Sequence, residues 1–139
     1  MLTRALFAVG LLLGTIAATA AEETKLLALG LADHRVSEEE LDQGAALARP
    51  RFNSPGVAYA YLANLKKGDE VEVLLVKDGA PLMKNAEMLA QDQPKFLLQA
   101  GKTGVPAGGW PDGKYSASVK VMRDGKAVLE QASEPIPFE

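Results

Sequence analysis

The chain holds one histidine, one tryptophan and no cysteine, so few side chains are equipped for chemistry. His34 follows Asp33, and a hydrolytic triad could use such a pair. However, no Gly-x-Ser-x-Gly turn presents a nucleophile, and no second histidine completes a zinc site of the usual type. Gly101-Lys102-Thr103 has the ending of a phosphate loop, but the glycine required five positions before Gly101 is Phe96. Gly101, Gly104, Gly108 and Gly109 therefore read as a flexible connection. Met83, Met88 and Met122 carry thioethers suited to Cu(I), yet their wide spacing and the single histidine favour gap-filling methionine. Glu38, Glu39, Glu40 and Asp42 lack the alternating oxygen ligands and central glycine of a calcium loop, and read as a solvated helix face. Nothing singles out a carboxylate pair of the glycosidase kind. The expectation is no catalytic residue, no metal and no cofactor.

The remaining candidates are aromatic, with one arginine. Trp110 lies between Gly109 and Pro111, where an indole can either plug one end of a fold or anchor a sugar ring or a partner side chain. Tyr59 and Tyr61 share one face of an apolar run and could serve as stacking surfaces. Phe52 and Arg51 sit in the proline- and glycine-punctuated stretch 49–56, a loop of the kind that carries binding residues.

These residues need strands to position them. Tyr115, Ala117, Val119 and Val121 alternate with Lys114, Ser116, Ser118 and Lys120, which gives an extended chain one core face and one wet face. Asp124-Gly125 supplies the positive φ angles of a two-residue hairpin turn, and Asp78-Gly79 does the same after Val71, Val73 and Leu75. The pattern predicts further strands over 25–32, with Leu27, Leu29 and Leu31 on one face, and over 57–65, which is apolar on both faces. The latter is a strand covered on both sides or one whose tyrosines face a groove. Val36-Ser37-Glu38-Glu39-Glu40-Leu41 has the form of a capped helix start, predicting a short helix near residues 38–47. Between 80 and 102 the pattern blurs: residues 86–90 fit helix or strand, and Phe96 and Leu98 suggest a strand after Pro94. Pro135 and Pro137 place the ending on a sheet edge.

Asp112-Gly113-Lys114-Tyr115-Ser116-Ala117 resembles the tyrosine corner of immunoglobulin-like sandwiches, in which a tyrosine opening a late strand ties its hydroxyl to backbone just upstream. Ala117 stands where antibody domains have their second cysteine, so the resemblance is to the looser immunoglobulin- or fibronectin-like architecture of bacterial exported domains, over roughly residues 57–139. It implies an all-β antiparallel sandwich and carries no functional residues across.

Arg4, the apolar run from Ala5 to Ile16 and Ala18-Thr19-Ala20 follow the order of a secretory signal peptide. Cleavage after Ala20 leaves residues 21–139 as a single domain. That run contains two glycines and is shorter than the ~20 residues a membrane span needs. Without cysteine, packing alone must hold an exported fold; the 47% apolar content supplies it. A net charge of −3 with no basic block argues against nucleic acid or anionic lipid as partner. The reading is a non-enzymatic periplasmic or secreted domain that binds an envelope or extracellular protein through end loops 49–56 and 101–113. The alternatives are a carbohydrate- or small-ligand-binding module using Tyr59, Tyr61 and Trp110, and a periplasmic enzyme with unidentified carboxylate chemistry.

Overall fold

The computed structural model describes residues 23–139, so the signal peptide expected over residues 1–20 lies outside the described residues. In chain order the elements are β1 (Lys25–Ala32), α1 (Glu38–Asp42), β2 (Gly56–Leu65), β3 (Glu70–Lys77), β4 (Ala80–Met88), β5 (Gln93–Lys102), β6 (Lys114–Arg123), β7 (Lys126–Ala132) and β8 (Ile136–Pro137). One sheet has the order β1-β2-β5; the other has the order β4-β3-β6-β7, with β8 also paired to β6. Every pairing is antiparallel. Among the described residues no helix is long and apolar enough to cross a membrane.

Alternation builds the core between the sheets. Ala58, Ala60, Leu62, Leu98 and Ala100 face Val71, Val73, Leu75, Tyr115, Ala117, Val119 and Val121 across it. Burying a valine or leucine completely is worth about 1.5–3 kcal/mol, so this uninterrupted apolar layer can hold the sandwich without a disulfide. Both hairpins turn as their sequences require: Asp78 and Gly79 have φ of 51° and 83°, and Asp124 and Gly125 have 53° and 78°. The ambiguous stretch resolves into β4 and β5. Ala86 pairs with Glu72 on β3, and the tight Asp78-Gly79 turn delivers the chain to that neighbour before a local helix can form.

Two expectations are corrected. A bulge between Leu26 and Ala28 shifts the facing of β1: Leu26, Leu29 and Leu31 pack on the core, while Leu27 is left exposed. The helix spans five residues rather than ten. Its capping box forms as read, with the Glu40 amide donating to Ser37 Oγ at 3.1 Å and the Ser37 amide donating to Glu40 Oε1 at 2.9 Å. Gly44, at φ 68°, then leads the chain out of the helix.

Candidate functional site

At one end of the sandwich the loops 49–56 and 101–113 are joined. The Trp110 amide donates to the Phe52 carbonyl at 2.7 Å, and its indole Nε1 donates to the Ser54 carbonyl at 2.7 Å. Ser54 Oγ in turn accepts from the Arg51 amide at 2.7 Å. Two glycines make room for this junction. A Cβ at Gly56 would sit 2.8 Å from Cζ2 of Trp110, and one at Gly109, where φ is +87°, would sit 2.8 Å from Cδ2 of Phe52. Trp110 is consequently buried, with its ring edge-on to Tyr115 and Phe138. It plugs the sandwich and shows no face to a ligand. Phe52 rides on this platform with half its surface exposed, beside the exposed Arg51.

Segment 33–50 crosses the outer face of the three-stranded sheet and divides the two tyrosines. Tyr61 lies under α1, donating its hydroxyl to Asp42 Oδ1 at 2.8 Å. Burial, reinforced by the Asp42 carboxylate, holds its phenol well above the usual value. The Lys95 ammonium pairs with the same Asp42 oxygen at 3.0 Å. Val36 is pinned beneath the segment by Gln99, which accepts from its amide at 2.8 Å and donates to its carbonyl at 3.0 Å. Tyr61 therefore cannot act as a stacking surface.

Tyr59, two residues earlier on β2, emerges beyond the cover. Its partner in register is Gly30, where a Cβ would meet the Tyr59 hydroxyl at 2.8 Å, so the phenol lies across the bare backbone of β1. Partial burial raises its pKa. Tyr59 forms part of the lining of a groove of about 470 Å³, together with Leu31, Leu41, Leu47 and Ile136. Arg49 closes one end and also lines a second hollow of about 330 Å³ with Pro50, Arg51, Pro137 and Glu139. The two hollows adjoin at Arg49, their shared residue, as a trough between the 41–51 stretch and the C-terminal tail.

His34 is held by carboxylates on both sides. His34 Nδ1 is 2.8 Å from Asp33 Oδ1 and Nε2 is 2.9 Å from Glu40 Oε2; with both ring nitrogens held by carboxylates, neither faces a nucleophile. These hydrogen bonds, Asp33 first and Glu40 second, raise the imidazole pKa. The acidic run is engaged by the protein itself, Glu40 by Ser37 and His34 and Asp42 by Tyr61 and Lys95. No group of three acidic or histidine side chains is arranged to hold a metal among the described residues. The methionines do not converge either: Met83 packs on the core, whereas Met88 and Met122 flank Glu70 on neighbouring strands. At Gly101 a Cβ would lie 2.7 Å from Val57 Cα, so that glycine serves the β2–β5 approach.

Sequence reasoning reached Phe52, Arg51 and Tyr59 but missed the other wall of the trough. Arg49, Leu47 and Ile136 carry no motif and meet only through the path of segment 33–50 and the tail. No family model matches the chain, and no curated protein or solved structure is significantly similar to it.

Proposed function

We propose that this chain is a non-enzymatic, exported binding domain of the immunoglobulin- or fibronectin-like sandwich type. It engages an envelope or extracellular protein through the end formed by loops 49–56 and 101–113. The observation that carries this reading is Phe52, an aromatic ring half exposed on a platform fixed by two hydrogen bonds to Trp110 and adjoining Arg51. Aromatic and arginine side chains held in advance on a rigid support lose little entropy on binding and dominate protein interfaces. The strand order and the Tyr115 hydroxyl, which donates to the Pro111 carbonyl at 2.6 Å, support the sandwich type.

The test is capture of a partner from envelope and secreted fractions by the tagged chain, compared with Phe52→Ala and Arg51→Ala. One partner retained by the wild type and released by both variants is the expected result; equal capture by all three overturns the end-loop reading. Intact mass of the exported chain tests cleavage after Ala20. The half-buried Tyr59 in its groove supports a second reading, a carbohydrate- or small-ligand-binding module, which saturable binding to a glycan panel would select.

A further inference from the structure

We infer that the trough beside β1 is a docking site for an extended peptide segment that sets an apolar side chain against Tyr59 and a carboxylate against Arg49. This rests on the reading of the chain as a protein-binding domain and names the chemistry of what it binds.

Three independent features lead there. First, β1 is an edge strand. Ala28 and Gly30 on it line the trough, and among the described residues the one turn or loop backbone hydrogen bond near that edge is from the Asp33 amide to the Ala48 carbonyl at 3.1 Å. An open strand edge beside a groove is the arrangement that accepts an added strand. Second, the hollow that contains Tyr59 is lined by the apolar side chains of Leu31, Leu41, Leu47 and Ile136. Gly30 gives the phenol its place over the strand, since a Cβ there would sit 2.8 Å from the Tyr59 hydroxyl and displace the side chain.

Third, two guanidiniums at one end are unpaired. The Arg123 guanidinium is held by Asp69 and Thr24, but those of Arg49 and Arg51 form no ion pair among the described residues. Glu134 and Glu139 line the same walls without reaching them. A planar guanidinium matches a carboxylate with two parallel hydrogen bonds. The Tyr59 hollow holds Arg49 with Glu134, whereas the second holds both Arg49 and Arg51 with Glu139, so the carboxylate is favoured toward the second hollow.

The test is a titration of the nitrogen-15-labelled chain with acetyl-Gly-Leu-Phe-Asp-Leu-Gly-amide and with a twin in which asparagine replaces the aspartate. The expected result is saturable shifts at the Gly30, Gly44, Ala45 and Ser133 amides, with the asparagine twin weaker by about tenfold, the loss of one charge-assisted hydrogen bond. Arg49→Ala should abolish the difference between the twins, and Arg49→Lys should restore only part of it; the spectrum of each variant reports whether it is folded. Equal affinity for the twins overturns the proposal, as does the absence of shifts at millimolar peptide. Shifts confined to the Phe52 and Val105 amides also overturn the trough while leaving the end-loop reading standing. Trough shifts in a chain whose Phe52→Ala variant still captures its partner support the trough and remove the end loops.

Discussion

Tyr115 and Phe138 lie face to face, ring centroids 4.0 Å apart and planes 9° apart, although one opens β6 and the other follows the last strand. Trp110 caps the pair edge-on, 5.7 Å from Tyr115 and 5.4 Å from Phe138. The Trp110–Tyr115 stretch and the C-terminal tail thus close one end of the sandwich together, and the support beneath Phe52 depends on that closure.

Trp110→Ala should therefore destabilise the fold by about 3–5 kcal/mol, as deletion of a buried aromatic does. The wild-type indole emission should be blue-shifted and poorly quenched by iodide. Readily quenched emission, together with an unchanged urea melt for Trp110→Ala, would contradict the plug.

Tyr115→Phe isolates the hydroxyl. Its loss leaves the Pro111 carbonyl, 2.6 Å away, without that donor, and should cost about 1–2 kcal/mol. Ser118→Ala, on the outer face of the same strand, should stay within about 0.5 kcal/mol. Equal shifts of the two urea midpoints would mean that the tyrosine corner contributes nothing.

The sequence was legible where the governing physics is local. Asp124-Gly125 encodes a turn through its own φ angles, Ser37 and Glu40 encode a helix start through hydrogen bonds three residues apart, and Tyr115 to Val121 encode a face by alternation. Leu27 was misread because a bulge depends on the partner strand. Tyr59 and Tyr61 look identical in sequence, yet one is buried and one faces the trough, because the difference lies in where segment 33–50 crosses the sheet. Arg49 and Ile136 meet across the trough only through tertiary packing, which no spacing rule reports.

At the β2–β3 turn, Asp69 is fully buried and grips Arg123 with two hydrogen bonds, Nε to Oδ1 and Nη2 to Oδ2, both 2.8 Å. Burial alone would raise the Asp69 pKa, but Arg123 and the Lys66 amide outweigh it and the net shift is downward. A depressed folded pKa stabilises above the unfolded value and is lost as pH falls through the folded one. Asp69→Asn should cost about 3 kcal/mol at neutral pH, the penalty for breaking a buried pair, with the gap to wild type closing in acid. Chemical denaturation of both proteins from pH 3 to 7 checks it, and a gap that widens in acid would refute it.

The His34 clamp titrates in the opposite sense and bears on the trough. Asp33 at the end of β1 and Glu40 in α1 hold the two ring nitrogens, so protonated His34 fastens the helix that carries Leu41, a wall residue of the trough. The folded imidazole pKa is raised above the ordinary 6.5, so its stabilisation is complete below that value and fades as pH rises through the folded one. Glu40 is lowered, chiefly by the Ser37 amide and then by His34, so its share is present above the ordinary carboxylate range and fades in acid. The clamp is therefore strongest between the two ranges. Thermal melts of the wild type and His34→Gln should differ most in mildly acidic solution and converge in mild alkali, where the Gly44 and Ala45 amides of the wild type should also lose protection relative to the exchange of an open amide at the same pH. A wild-type advantage that grows above neutrality would show that the imidazole is held neutral and that the wall of the trough is fixed by other contacts.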